Sequence, residues 1–311
     1  MPQAPHLKLN NGIRMPMIGL GTWNASKETV GSAVEFAIRE AGYAHIDCAH
    51  VYENEKEVGE AFDRVFGQDP SKRADAFITG KLWNDSHAKH DVVKACKKSL
   101  EDLRLEYLDL YLMHFGVASP PGKGFEPVDK KGFLVPNNVP VRETWEAMEE
   151  LVKMGLVKSI GVSNFTGPML VDLLTYAKIA PAVNQIELHP YNQQDRLIEF
   201  CRYHDIAVTA YSPLGSQGAL RPDEIHILMQ DSLLKEIASH HGKTLAQILL
   251  RWGIQRQTIV IPKSINTEHI TQNIDIFDFE LTEAEMAKIA LLDKRYRYVN
   301  PYDWWKIPYF D

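Results

Sequence analysis

Leu108-Asp109-Leu110-Tyr111-Leu112-Met113-His114 is a strand-length apolar run that stops on an imidazole. The pattern recurs: apolar stretches give way to Asp47 within 44–49, to Tyr52 within 51–54 and to Lys81 within 77–82. Continuous rather than alternating apolar residues mark strands buried on both faces, as in a parallel sheet. A polar residue at the end of each run puts chemistry along one edge of that sheet. If the strands close into a barrel, Asp47, Tyr52, Lys81 and His114 converge on one mouth.

Outward from this run, strand and helix signals alternate almost to the end of the chain. Apolar runs at 17–20, 44–47, 77–80, 107–113, 156–162, 181–187, 206–211 and 258–261 give eight strands. The spacers 27–40, 54–66, 90–103, 141–154, 167–177, 194–204, 231–256 and 267–274 carry apolar residues at helical spacing, such as Val58, Ala61, Phe62 and Val65. A short hairpin, 6–9 with 13–16, precedes them. The reading is an α/β chain forming a single (β/α)8 barrel domain over 1–311. Two segments exceed a minimal barrel. A Pro- and Gly-containing loop follows the fourth strand at 116–140, too long for an ordinary connection and therefore expected to be functional. The tail 293–311 is rich in aromatic residues and reads as a strap on the barrel or a lid over its mouth.

Composition narrows the classes. The 311 residues are 45% hydrophobic and 24% charged, which suits a soluble protein with a large core. No apolar run approaches the ~18 residues of a membrane span, and Met1-Pro2-Gln3-Ala4-Pro5-His6 has no basic and apolar leader pattern. Cys48, Cys96 and Cys201 are odd in number and lack metal-ligand spacing, which points to a reducing compartment and a cytoplasmic location. In that setting the glycosylation match at Asn164-Phe165-Thr166 is coincidental. A net charge of −7 argues against nucleic acid as a partner.

The four polar residues make sense as a unit. A free phenol, with a pKa of about 10, is a poor acid at neutral pH. A neighbouring ammonium lowers that value, and a carboxylate keeps the ammonium charged and oriented. Tyr52, Lys81 and Asp47 together therefore read as a proton-donating site for an alkoxide formed from a carbonyl, with His114 placed to orient the carbonyl oxygen.

Gly-Leu-Gly-Thr-Trp at 19–23, Asp-Cys-Ala-His-Val-Tyr-Glu-Asn-Glu at 47–55, Gly-Val-Ser-Asn-Phe at 161–165, Val-Asn-Gln-Ile-Glu at 183–187, Tyr-Ser-Pro-Leu-Gly-Ser at 211–216 and Ile-Pro-Lys-Ser at 261–264 resemble the aldo-keto reductase family, in family order along nearly the whole chain. The resemblance implies a barrel that reduces carbonyls with a nicotinamide cofactor, with Tyr52 as general acid assisted by Lys81, Asp47 and His114. It also implies a cofactor site without the Gly-x-Gly-x-x-Gly fingerprint, which is absent here. Ser163, Asn164 and Gln185 match residues that hold the carboxamide, Tyr211 matches the ring under the nicotinamide, and Thr22 is a further cofactor-binding residue. Ser212, Leu214 and Ser216 match the pyrophosphate loop, Lys263 and Ser264 a phosphate site, and Gln272 and Asn273 the adenine contacts.

His269 stands where NADP-preferring relatives usually carry Arg. An imidazole lacks the guanidinium fork, so the expectation is an NADPH-dependent enzyme that discriminates less against NADH. Within the family, Asn300-Pro301-Tyr302-Asp303-Trp304 and His114-Phe115 look like xylose reductases, while the 116–140 loop resembles aldose reductases equally well. That makes Trp23, Trp83, His114 and Phe115 pocket walls and Asn300 a sugar contact. The expected substrate is a small aldehyde or aldose, acted on by a monomer or homodimer. A metal-dependent barrel hydrolase would need clustered ligands at strand ends, where only Asp47 and His114 qualify, so no metal is expected. A non-enzymatic cofactor-binding or structural protein on the same fold is the remaining rival, and retention of all four polar residues weighs against it.

Overall fold

The computed structural model describes residues 4–311 except 68, 70 and 222; Met1-Pro2-Gln3, read above for a leader, lies outside them. The chain opens with an antiparallel hairpin, β1 (His6–Lys8) and β2 (Arg14–Pro16), in the register Leu7↔Met15. Eight parallel strands follow in sequence order: β3 (Leu20–Gly21), β4 (His45–Asp47), β5 (Phe77–Leu82), β6 (Leu110–Met113), β7 (Ile160–Ser163), β8 (Val183–Glu187), β9 (Ala207–Tyr211) and β10 (Ile259–Val260). The last strand returns to the first. Parallel bridges join Ile18 to Val260 and Gly21 to Lys263, and Gly19 N–H and Gly21 N–H donate to Val260 O and Pro262 O, each at 2.9 Å. This closes the expected (β/α)8 barrel.

Between and after the strands run α1 (Lys27–Arg39), α2 (Glu55–Phe66), α3 (Ser71–Asp75), α4 (Lys89–Leu103), α5 (Val141–Lys153), α6 (Gly167–Tyr176), α7 (Asp195–Tyr203), α8 (Ser232–His241), α9 (Leu245–Gln255), α10 (Thr267–Ile274), α11 (Glu283–Ala290) and α12 (Tyr302–Trp305). None of the described helices is long and apolar enough to cross a membrane. Apolar residues on the outer face of the strands and the inner face of the helices form one continuous core, including Ile46, Ile78, Tyr111, Met113, Val34, Phe62 and Trp145. Gly59 lets α2 lie against the end of α4, since a Cβ there would come within 2.0 Å of Asp102 O.

A second cluster fills the barrel axis. Leu9 and Met15 from the hairpin region pack with Phe77, Leu110, Leu112, Val183 and Ile259, plugging the N-terminal end. Chemistry is thereby confined to the opposite mouth. Helices α3 and α12 fall in stretches to which the sequence reading gave no helix, and two further elements differ from it. The span 231–256 is two helices, because Gly242 turns left-handed (φ +61°) and Thr244 with Gln247 forms a capping box that starts α9. Helix α11 falls in a stretch left unassigned, although Thr282 and Glu285 build a capping box there too.

Candidate active site

Period-2 geometry explains why the polar layer faces inward. On β6, Leu110 and Leu112 point to the axis and Tyr111 and Met113 to the helices, so His114 continues the inner row. Asp47 ends β4 and Lys81 lies near the end of β5. Tyr52 stands on a single 3-10 turn, His50–Tyr52, between β4 and α2 rather than at a strand end.

The four side chains meet. Lys81 Nζ forms a short ion pair with Asp47 Oδ1 and donates to Tyr52 Oη and to Cys48 O, both at 3.0 Å. From β8, across the barrel, Gln185 Nε2 donates to Asp47 Oδ2 at 2.7 Å. A bond between strands that are not neighbours has to run through the interior. The His114 ring lies edge-on to Tyr52 and Trp83, with centroids 5.8 and 5.0 Å away.

Electrostatics refine the expectation for Tyr52. Burial is the largest influence and pushes the phenol up to about 12, with Lys81 pulling it partly back. The anticipated lowering by the ammonium is thus outweighed by desolvation. Burial also works against the Lys81 ammonium, yet Asp47 and Tyr52 together hold its pKa above the ordinary value. His114 goes the other way: burial, then the charge on Lys81, keeps its imidazole well below the usual range and therefore neutral. Its Nδ1 is buried with no hydrogen-bond partner among the described residues.

Above this layer opens a cavity of about 870 Å³. Its wall includes Asp47, Tyr52, Trp83, His114, Phe115, Asn164, Gln185, Tyr211, Ser212, Leu214, Ser216, Lys263, Ser264 and His269, with Trp23 at the rim. Asn164 is fixed in place, as its Nδ2 donates to His114 O (2.9 Å) and its Oδ1 accepts from Tyr211 Oη (2.7 Å). Ser212 and Ser216 share a hydrogen bond of 2.6 Å. Lys263 has burial as the sole influence depressing its pKa, and no carboxylate pairs with it among the described residues. An unpaired ammonium beside hydroxyls, amides and a phenol ring fits a phosphate-bearing, amide-bearing aromatic cofactor in chemistry.

Other residues singled out in the sequence lie behind the wall. Thr22 Oγ1 donates to Asp47 O at 2.8 Å and Ser163 Oγ to Gln185 O at 2.9 Å, so both brace lining residues. Gln272 bonds to Glu268 at 3.0 Å, and Asn273 is buried in α10. Asn300, read as a sugar contact, is not on the wall; its Oδ1 accepts the Tyr302 N–H at 3.1 Å, the geometry of a turn residue opening α12.

The long loop and the tail build the outer wall together. Trp83, Phe115 and Trp305 form a buried aromatic cluster, packed by Phe125, Leu134 and Tyr309. Trp83 Nε1 donates to Phe125 O (2.8 Å), Leu134 N to Trp305 O (2.9 Å) and Gly116 N to Tyr309 Oη (2.9 Å). Tail residues Tyr298 and Val299 are tied down through their N–H groups to the buried Glu187 carboxylate, at 2.7 and 3.1 Å. Glu126, Val299 and Trp304 also line the cavity; no sequence motif marked the first two, and Trp304 lay in the tail motif without being read as a pocket residue.

The comparisons agree with this geometry. The sequence model described as Aldo/keto reductase family matches residues 17–294. Aldose reductase B of Dictyostelium discoideum is 49% identical, covering 98% of this chain and 97% of that protein. The NAD(P)H-dependent D-xylose reductase I,II of Candida tropicalis is 43% identical, covering 99% and 98%. The crystal structure of a Bombyx mori aldo-keto reductase in complex with NADP superposes with a TM-score of 0.87 at 40% identity, covering 100% and 99%. With a closed barrel, a polar layer at its C-terminal mouth and full-length relatives of this kind, the chain belongs to the aldo/keto reductase family.

Proposed function

We propose that this chain is an NADPH-dependent reductase of aldehydes and aldoses in which Tyr52 delivers the proton. The observation that carries the reading is the Tyr52 hydroxyl 3.0 Å from a buried ammonium, Lys81, itself paired with Asp47, on the wall of the large cavity. When bound, NADPH supplies a hydride to the carbonyl carbon. Tyr52 meets the charge that develops on the carbonyl oxygen by giving up its phenolic proton. With its pKa near 12, the phenol is fully protonated at neutral pH and serves as a donor without a prior proton transfer. Lys81 stabilises the phenolate that results, and Asp47, anchored by Gln185, keeps that ammonium charged and fixed. Neutral His114 holds the carbonyl oxygen by a hydrogen bond and adds no second positive charge beside Lys81.

Tyr211, Asn164, Gln185, Ser212, Leu214, Ser216, Lys263 and Ser264 hold the cofactor in this reading, with Thr22 and Ser163 bracing them and Gln272 and Asn273 at its adenine end. His269, exposed on the cavity wall, replaces the phosphate-binding Arg, which leaves NADH as a usable second cofactor. Trp23, Trp83 and Phe115 enclose the substrate. Residues 1–311 act as one domain in the cytoplasm, as a monomer or homodimer; three buried free thiols suit a reducing compartment. Following cofactor oxidation with xylose, glucose, glyceraldehyde and an aromatic aldehyde tests the assignment. Oxidation that no aldehyde stimulates, in folded protein that binds NADPH, would overturn it in favour of a non-enzymatic role.

A further inference from the structure

Far from the barrel mouth in sequence and in contacts, α8 and α11 bring two imidazoles and a carboxylate together. His240 and His241 end α8, and Glu285 sits in the first turn of α11. Glu285 Oε1 lies 3.2 Å from His240 Nδ1 and 3.0 Å from His241 Nε2. One ligand atom from each of the three falls within 4.8 Å of the others. Two donors bound 2.0–2.1 Å from a tetrahedral ion are about 3.3 Å apart, so both nitrogens already stand near ligand spacing from one carboxylate oxygen.

The surroundings favour an ion. Glu285 Oε2 accepts from Thr282 N (2.8 Å) and Thr282 Oγ1 (2.9 Å), which fixes the carboxylate from behind as outer partners do in metal sites. The His241 ring rests against Phe279, with centroids 5.3 Å apart. Among the described residues no ammonium pairs with Glu285, and the nearby Lys243 is engaged by Asp275 and Asp278. The other set with comparable spacing, His50, Glu55 and Asp102, differs on this point, because Lys98 already occupies Asp102.

We propose that His240, His241 and Glu285 form a Zn2+ site that clips α8 to α11, with water completing the coordination. Two imidazoles and one carboxylate suit zinc and disfavour magnesium or calcium, which take oxygen ligands. The rings and carboxylate bind as neutral imidazoles and an anion, so the ion retains one net positive charge for its water. The three residues touch no part of the reductase cavity, so the role is a staple between two outer helices, 44 residues apart in the chain between His241 and Glu285. Binding to the folded state alone raises stability by mass action.

Calorimetric titration of the chelator-treated full chain with Zn2+, paired with thermal melting, tests this. The expected result is a saturable site and a rise in Tm with Zn2+ but not with Mg2+. His241→Ala and Glu285→Gln should each weaken that site by about tenfold or more and abolish the Tm rise. Glu285→Gln retains an oxygen for the Thr282 N–H, so the cap persists, and unchanged reductase activity in both variants certifies the fold. The buried cysteines offer no competing surface thiol. Absence of a Zn2+-dependent Tm rise in the native chain would overturn the proposal, as would Zn2+ affinity that neither variant changes.

Discussion

The inner wall of the cavity and its outer rim are built by different rules. The inner wall comes from strand ends: Asp47, Gln185 and Asn164, with Lys81 directly behind Asp47 and Tyr52, are each 2% exposed or less and each is fixed by side-chain hydrogen bonds. The rim comes from the 116–140 loop and the C-terminal tail, joined by Trp23 after β3; Phe125 meets Trp83 edge to face, and Trp304, Trp23 and Glu126 reach solvent. A barrel strand allows one side chain every second residue at a set height, so it positions chemistry closely but offers little variety. The rim can change length and composition without disturbing the sheet. Reaction type therefore belongs to the wall and substrate choice to the rim.

Breaking the wall should cost most. Tyr52→Phe keeps the ring but removes the proton, and turnover should fall about 10²–10⁴-fold while NADPH affinity stays nearly constant. A loss below tenfold, with hydride transfer still rate-limiting, would remove Tyr52 from its role. Lys81→Met should be as severe in turnover and also cost stability, because it strands the buried Asp47 carboxylate; breaking such a pair typically costs about 3–5 kcal/mol. An unchanged denaturation midpoint in that variant would mean Asp47 finds another partner.

Buried histidines of the barrel interior predict how the fold responds to acid. His45, bonded to Thr79 Oγ1 at 3.2 Å, is held by burial at about 4 against an ordinary 6.5, and burial depresses His114 as well. A depressed histidine contributes stability in full above the unfolded value and loses it as pH falls toward the folded one. Stability should therefore decline from about pH 6.5 to pH 4, by roughly 1.4 kcal/mol per pH unit for each such proton, and Tm should fall with it. His45→Asn should flatten the slope. A native profile that is level across that window would refute the assignment.

Much of the wall was legible in the sequence because its signals are local: apolar runs ending on Asp47, Lys81 and His114, and family motifs around Ser163, Gln185 and Tyr211. The sign of the Tyr52 shift was not, since it depends on how much solvent the folded barrel excludes. Glu126, Val299 and Trp304 were missed for another reason. They lie in segments without periodicity, and only the tertiary path of the loop and tail brings them to the cavity. Asn300 shows the converse, a motif residue whose side chain serves its own turn.

Between wall and rim stands His269, at the start of α10, on the side of the cavity that the proposed reading gives to the cofactor phosphates. His269→Arg supplies a permanent charge and a planar fork for the 2′-phosphate. A charge-assisted hydrogen bond contributes about 1.5–3 kcal/mol, so the NADPH-to-NADH affinity ratio should rise about 10- to 150-fold. Titration of both cofactors by protein fluorescence measures the ratio directly. If it does not move, the 2′-phosphate is held elsewhere, with Lys263 on the same cavity wall a candidate.

The rim should yield the smallest effect and the most specific one. Glu126, exposed to solvent, lines the cavity beside Phe125 and brings a carboxylate to the rim, with partial burial raising its pKa. Among the described residues no Lys or Arg other than Lys263 lines the cavity, and Lys263 belongs to the phosphate end in the proposed reading. An aldehyde that carries its own carboxylate therefore meets repulsion at the rim, while a neutral aldose does not. Exposed charge pairs are worth about 0.2–1 kcal/mol, which sets the scale. Glu126→Gln should raise kcat/KM for glucuronate or 4-carboxybenzaldehyde by about 1.5- to 5-fold and leave xylose unchanged. The advantage should shrink as salt is added, because screening acts on the native enzyme's repulsion and has nothing to act on in the variant. An equal gain on xylose would mean the substitution widens the cavity instead. No gain on either anionic substrate would place Glu126 too far out to be felt, and the rim would select by shape alone.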